Sequence, residues 1–286
     1  MQLDSVPSQH GLKGPDKLAL LTSHVDVWRL RLDDPAVGET RHAISESKGV
    51  LSLDELNRAA RFHFERDCAR FVRCRAALRG LLARYLDIAP ADIRFSYNAS
   101  GKPEVAPDQN PGRLRFNVSH SENTALIAVG PVDDLGVDIE KVRVEVNTAD
   151  LAERFFSARE RKALRELPQP LRLLAFYACW TRKEAFLKAM GDGLGFPLSD
   201  FSVSVHPDVE PRVEEIQGDA EAGREWSLID LSAVNTGRLE TPESAISETG
   251  IDGTDVAARG LPATESYRSA LAIKRGVVAV RSCSLF

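Results

Sequence analysis

The stretch SLDELNRAARFHFERDCARFVRCRAALRGLLARYL (52–86) begins with a capping box, Ser52-Leu53-Asp54-Glu55, in which the serine hydroxyl can accept the N3 amide while Glu55 reaches back. Behind it, Phe71, Leu78, Leu82 and Tyr85 recur at spacings of seven, four and three, so one apolar face predicts a helix from Ser52 to about Leu86, closed by Pro90. A second box, Ser157-Ala158-Arg159-Glu160, opens a helix interrupted at Pro168 and Pro170 and resumed from Leu171 to Met190, with Gly191 placed to end it. A short alternating strand follows each long helix, Ile93-Arg94-Phe95 in one case and Phe201-Ser202-Val203 in the other. The offset from capping serine to strand is 41 residues (52 to 93) and 44 residues (157 to 201), which hints at duplicated halves meeting near residue 134.

Further strands are predicted at Arg113–Val118, Ala125–Val129, Gly136–Glu140, Tyr267–Ile273 and Val277–Val280. Residues 208–255 hold 13 Asp and Glu against three Arg, and Gly, Ser, Thr and Pro are frequent beyond Ser232. The stretch from about 232 to 264 therefore reads as a flexible acidic insertion, and residues 1–20 as a disordered amino terminus. The expected organisation is a first half over 21–133 and a second over 134–286 that carries the insertion.

A chain of 286 residues has room for one large domain or two small ones, and 43% hydrophobic with 28% charged residues excludes fibrous and wholly disordered classes. The net charge of −5 offers no general attraction for nucleic acid or an anionic membrane, so any anion site must be local. Cys68, Cys74, Cys179 and Cys283 form no CxxC pair, and no apolar run approaches a membrane span. A reducing, cytoplasmic setting is the expectation.

Four places could carry chemistry. In Gly136-Val137-Asp138-Ile139-Glu140 a strand sends Val137 and Ile139 to one face and both carboxylates to the other, where they repel and call for a cation; paired oxygen ligands suit Mg²⁺. Taken alone, such a pair reads equally as a solvated strand face. Trp180, Glu184 and Lys188, at i, i+4 and i+8, put a third carboxylate and a cation on nearly one helix face; the plain alternative is a surface Glu184–Lys188 pair. Ser119 and His120 close the strand Phe116-Asn117-Val118-Ser119-His120 at an expected strand-to-loop transition. Their opposite directions on an extended chain disfavour a nucleophilic pair and leave phosphate binding open, beside the alternative of an ordinary polar strand end. Between Arg58 and Arg79 seven arginines face only Glu65 and Asp67, a local +5 suited to phosphate oxygens, and Gly101-Lys102-Pro103 sets another cation on a turn.

In this order, GKP (101–103), FNVSH (116–120), GVDIE (136–140) and WTRKEAFLK (180–188) followed by MGDGL (190–194) closely resemble the 4′-phosphopantetheinyl transferase family, surfactin-synthetase-activator type. The resemblance implies an α/β (α+β) monomer of two pseudo-symmetric halves, each a long helix on a small mainly antiparallel sheet, with the active-site cleft between them. It implies Mg²⁺, replaceable by Mn²⁺, at Asp138, Glu140 and Glu184, with Glu184 and Lys188 catalytic. Coenzyme A as co-substrate would meet Arg58, Arg61, Arg70, Lys102, Ser119, His120 and Lys188, and the partner would be an apo carrier protein whose serine receives the phosphopantetheine. A catalytically inert binder of coenzyme A or carrier protein is the alternative. An arginine-rich nucleic-acid binder lacks interleaved aromatic platforms.

Overall fold

The computed structural model describes residues 24–33, 47–191, 195–232, 267–274 and 279–285. Strands β1 (His24–Arg31), β4 (Arg115–Ser121), β5 (Thr124–Gly130) and β11 (Ala279–Leu285) form a first sheet in the order β11-β1-β5-β4. Strands β6 (Leu135–Lys141), β9 (Trp226–Asp230) and β10 (Tyr267–Lys274) form a second, ordered β6-β10-β9. Two hairpins stand apart, β2 (Phe95–Tyr97) with β3 (Pro103–Val105) and β7 (Phe201–Val203) with β8 (Val213–Ile216). The helices are α1 (Leu53–Ala59), α2 (Glu65–Leu86), α3 (Thr148–Phe155), α4 (Ala158–Glu166), α5 (Gln169–Met190) and α6 (Ala220–Gly223). The expected mixed α/β class with small, mainly antiparallel sheets is observed. Among the described strands, only β1 and β11 pair in parallel. No helix among the described residues is long and apolar enough to cross a membrane.

Helices α2 and α5 are both 22 residues long, and each covers one sheet. Leu78, Leu82 and Tyr85 of α2 pack on Phe116, Ile127 and Val129, whereas Ala185, Phe186 and Ala189 of α5 pack on Ala270 and Ala272. Each helix ends in a left-handed residue, Asp87 at φ 59° and Gly191 at φ 75°. The likeness extends to buried charge. Glu55, from the first capping box, accepts from Arg79 Nε at 2.7 Å, and Glu160, from the second, accepts from Lys183 Nζ at 2.7 and 2.8 Å. Both cations sit 14 positions after their helix begins (65 to 79 and 169 to 183).

That first ion pair explains the main departure from the sequence reading. Instead of one helix from Ser52 to Leu86, the chain turns between Ala60 and Phe64, where Phe64 is extended at φ −100° and ψ 132°. The turn folds α1 back so that Glu55 lies between Arg75 and Arg79 and Ala59 packs on Leu51 and Val72. A straight helix would leave Glu55 facing water and Arg79 buried without a counter-charge, a costly arrangement. The expected basic flank is broken up as well: Arg70 grips Asp33 with two bonds (2.9 and 2.6 Å), and Arg73 donates to Leu32 O at 2.5 Å.

Smaller shifts have local causes. Pro90 starts a 3₁₀ turn, Pro90–Asp92, rather than ending α2, and this delays the next strand to Phe95. Arg113, at φ 51°, is in a turn, so β4 begins at Arg115 and runs on to Ser121. Ser119 and His120 thus lie within the strand, not at its end. The last strand spans Ala279–Leu285, which includes Ala279 and Val280 of the expected Val277–Val280; Val277 and Val278 lie outside the described residues. Residues 1–20 and almost all of the 232–264 insertion lie outside the described residues.

The parallel strand is fastened by a buried chain of polar groups. Arg281 clamps Asp26 with bonds of 2.6 and 2.9 Å, Tyr85 donates its hydroxyl to Asp26 at 2.6 Å, and Trp28 Nε1 donates to that same hydroxyl at 2.9 Å.

Glu55 also sets a pH dependence. Burial pushes its carboxyl up, but the Arg75 charge and bonds from Ser52, Arg79 and Arg75 outweigh this and hold it below the usual glutamate range. A carboxylate whose folded pKa is depressed contributes stability above its unfolded value, about 4.3, and loses it as pH falls through the folded value. Glu55→Gln should therefore be less stable than the parent at neutral pH and show a shallower acid limb. Urea midpoints measured from pH 7 down to 3 would check this.

Candidate active site

Strands β4 and β6 face each other across the two sheets without a backbone ladder. In its place, alternate side chains of β4 take the N–H groups of β6. Asn117 Oδ1 accepts from Val137 at 2.9 Å, Ser119 Oγ from Ile139 at 3.4 Å, and Ser121 Oγ from Lys141 at 3.1 Å. The strand period of two that aligns these three residues also turns Asp138 and Glu140 toward them. Ser119 Oγ donates to Asp138 Oδ1 at 2.8 Å, and Ser121 Oγ donates to Glu140 Oε2 at 2.9 Å. Val137 and Ile139 go to the core, as the alternation requires.

Helix α5 supplies the rest, and it lies very close to β6. A Cβ on Gly136 would stand 2.0 Å from Ala185 O and 2.3 Å from Ala189 N, so only glycine admits this approach. Lys188 reaches across to Asp138 Oδ1 at 2.6 Å and Ser119 Oγ at 2.9 Å. The cation that the repelling carboxylates call for is therefore present in the chain itself. Trp180, one turn before Glu184, leaves the stripe and packs against Phe155, Phe156 and Phe176. Glu184 and Lys188 line a cavity of about 270 Å³ with Lys102, Asn117, Val118 and Leu187.

The electrostatics match a crowded anionic cluster. Burial, then the charge of Asp138, pushes Glu184 above the usual carboxylate range, and the same two causes in the same order raise Glu140. Asp138 is 2% exposed and its Oδ2 has no hydrogen-bond partner among the described residues. Buried carboxylate oxygens normally find a donor, and a bare one points to something else that fills its shell. No three His, Cys, Asp or Glu side chains among the described residues form a ready-made metal cluster.

His120 faces the opposite way from Ser119 and is open to solvent. Desolvation by the surrounding walls, then the positive fields of Lys188, Arg70 and Arg58, lower its pKa. The amino-terminal arginines and Lys188 thus add to one positive region around this imidazole. Arg58 and Arg61 border a wider surface cavity of about 630 Å³ with Asp54, Asn57 and Phe62. Arg70 spends its guanidinium on Asp33 and also lies 3.7 Å from Glu122.

Lys102 is committed internally. Its ammonium donates to Leu135 O (3.0 Å), Lys188 O (2.5 Å) and Ala189 O (3.1 Å), tying the β2–β3 turn to the end of α5. Asn98 Nδ2 donates to Gly191 O at 2.9 Å beside it. Burial pushes the ammonium down to about 8, so it remains charged at neutral pH, the form that has a proton for each of the three carbonyls. Lys102→Met keeps the stem and removes these bonds, so we expect a loss of about 1–3 kcal/mol, read as a lower urea midpoint. A lysine that served only a bound ligand would leave that midpoint unchanged.

Sequence reasoning missed Asn117 and Ser121, although polar residues at 117, 119 and 121 of a largely buried strand are a visible signal. It also missed Asn98, where a turn residue carries an interaction across 93 positions that no local pattern announces.

Comparison with known proteins agrees along most of the chain. The profile described as 4′-phosphopantetheinyl transferase superfamily matches residues 134–241, and that described as 4′-phosphopantetheinyl transferase, N-terminal, matches residues 39–132. The chain is 37% identical over 220 residues to the 4′-phosphopantetheinyl transferase HetI of Nostoc sp., covering 77% of this chain and 87% of that protein. It is 32% identical over 164 residues to the 4′-phosphopantetheinyl transferase Sfp of Bacillus subtilis, covering 57% of this chain and 70% of Sfp. The human L-aminoadipate-semialdehyde dehydrogenase-phosphopantetheinyl transferase is 32% identical over 191 residues, 62% of either chain.

Proposed function

The chain belongs to the 4′-phosphopantetheinyl transferase superfamily, and from that premise we propose how it acts: it transfers the 4′-phosphopantetheine group of coenzyme A to a serine of an apo carrier protein and releases 3′,5′-ADP. The observation that carries the reading is the shared hydrogen-bond set of Lys188, Asp138 and Ser119 beside Glu184, at the seam where β4 meets β6. We further read the protein as a cytoplasmic monomer of the surfactin-activator type, with halves at 21–133 and 134–286. It would serve acyl, peptidyl or aryl carrier proteins.

Three carboxylates with hard oxygen donors fit Mg²⁺ or Mn²⁺, and the bare, buried Asp138 Oδ2 fits a missing ligand bond. Asp138, Glu140 and Glu184 would hold the ion. When bound, it neutralises charge that develops on the leaving phosphate. Lys188 and Ser119 receive the pyrophosphate of coenzyme A, while His120, on the other face of β4, joins the forks of Arg58 and Arg61 at its further phosphate. Arg70 contributes through its field, because Asp33 already holds its guanidinium. Lys102 contributes by fixing the turn at the cavity wall.

The reaction needs little covalent help from the protein. The carrier serine oxygen forms a bond to the β-phosphorus as the bridging P–O bond breaks, and the electron pair leaves with 3′,5′-ADP. Glu184 takes the serine proton; its raised pKa makes it a better base than an ordinary carboxylate. Lys188 and Ser119 hold the pyrophosphate in line, and this positioning supplies most of the rate.

Incubation with coenzyme A, Mg²⁺ and a panel of apo carrier proteins, followed by intact mass, tests the assignment. One carrier serine should gain a single phosphopantetheine, and gain none when Mg²⁺ is chelated. If no carrier gains that mass while the protein still binds coenzyme A, the inert-binder reading replaces this one.

A further inference from the structure

Three lysine ammonium groups of this chain lie on α5 or are tied to its end, and they differ in how fully they are used. An ammonium has three donors. Lys183 fills all three with Glu160 Oε1, Glu160 Oε2 and Phe201 O, and Lys102 fills all three with carbonyls. Lys188 has two acceptors, Asp138 Oδ1 and Ser119 Oγ, and its side chain is 30% exposed against 1% for Lys183. It stands at the cavity wall with one donor unspent and solvent on one side. Lys188 is the ammonium free to move.

Its seat is on the carboxylate a metal would use. Asp138 Oδ1 accepts from both Lys188 and Ser119, while Oδ2 is buried and bare. A divalent ion on Oδ2 and an ammonium on Oδ1 of one buried carboxylate repel each other strongly. Coenzyme A brings phosphate oxygens, the better acceptors for an exposed lysine.

We propose that Lys188 is the resident counter-cation of the Asp138 carboxylate cluster before metal arrives, and that it leaves Oδ1 for the coenzyme A phosphates as the divalent ion takes Oδ2. The inference rests on the metal assignment above and adds an exchange: each incoming ligand helps the other, because the phosphates draw Lys188 away and the metal pushes it out. Such linkage is reciprocal. Without coenzyme A the site binds metal less tightly because of its own lysine, which guards against idle loading.

The test is Mn²⁺ binding to the full chain, read as the loss of the free-ion electron paramagnetic resonance signal. Without coenzyme A, Lys188→Met should bind Mn²⁺ about tenfold or more tightly than the parent. Ser119→Ala, which removes one of the two acceptors of Lys188, should move the same way by a smaller factor and keeps the test open if Lys188→Met does not fold. Adding coenzyme A should tighten Mn²⁺ by a larger factor in the parent than in Lys188→Met. If parent with coenzyme A binds Mn²⁺ but both variants alone bind no more tightly than parent alone, the exchange is wrong and the metal assignment stands. If Mn²⁺ binds to none of these, with or without coenzyme A, the metal assignment fails and the exchange with it.

Discussion

Asp138→Ala is expected to lower phosphopantetheine transfer by about three orders of magnitude or more while leaving the protein folded. A thousandfold corresponds to about 4 kcal/mol of transition-state stabilisation, the scale on which a charged group acting in a water-poor site operates. Asp138 is the most buried of the three carboxylates, the only one whose bare oxygen is sealed from water, and the seat of Lys188. The loss in stability should be small. Lys188 keeps access to solvent when its partner is removed, and Glu140 and Glu184 are both raised by the charge of Asp138, so its removal relieves them. The Lys188 bond gives Asp138 a partner, yet the loss stays small because that partner is only half-buried. Turnover from intact-mass time courses, with melting temperature in excess chelator as control, checks both parts. A melting temperature that falls by ten degrees or more would make Asp138 a structural residue.

Lys183→Met should have the largest effect on stability. The Lys183 ammonium and the Glu160 carboxylate are 1% and 0% exposed, and Lys183 also lies 4.0 Å over the Phe201 ring. Removing one member of such a pair leaves a buried charge without compensation, at a cost of about 3–5 kcal/mol. At roughly 2–4 °C per kcal/mol for a chain of this size, the melting temperature should fall by roughly 6–20 °C. Glu160 also accepts from Val203 N–H and Ser157 N–H, so its carboxylate organises a hairpin and a helix start together. The double variant Lys183→Met with Glu160→Gln should recover at least half of the loss, since an amide there is neutral. Urea unfolding of the parent and the two variants gives the numbers, and a single-variant cost below about 1 kcal/mol would contradict the account.

Lys183 and Lys188 also show what could and could not be read in advance. They lie five positions apart on one helix, and the i, i+4 spacing drew attention to Lys188 with Glu184. Nothing local told that Lys183 would be sealed in the core, because its fate depends on Glu160 arriving from another helix. The carboxylates of β6 were legible, since a period of two is a backbone property and Val137 and Ile139 had to be buried. The capping boxes and the Gly191 stop were legible for the same reason: each is satisfied within a few residues. The turn at 60–64 was not, because helical spacing carries straight through it and only the tie from Glu55 to Arg75 and Arg79 bends the chain. Lys102 looked like a ligand-facing turn lysine, and its commitment to the carboxyl end of α5 belongs to a contact across 86 positions.

The pairing of β11 with β1 has a consequence for how the molecule is made. Asp26 and Arg281 are separated by 255 positions, so the strand that flanks β1 on its open side is synthesised long after β1 itself. Until then the first sheet has a naked edge, and Asp26 is tucked beneath Tyr85 with its arginine not yet synthesised. Nascent chains therefore pass through a long interval in which the front part can collapse around α2 but cannot finish, and a slow final step is built into the topology. Dividing the chain near residue 133 would not release two self-sufficient pieces. The amino-terminal piece would present β1 to whatever strand it met, including that of a second copy, and would aggregate unless residues 279–285 were supplied in trans.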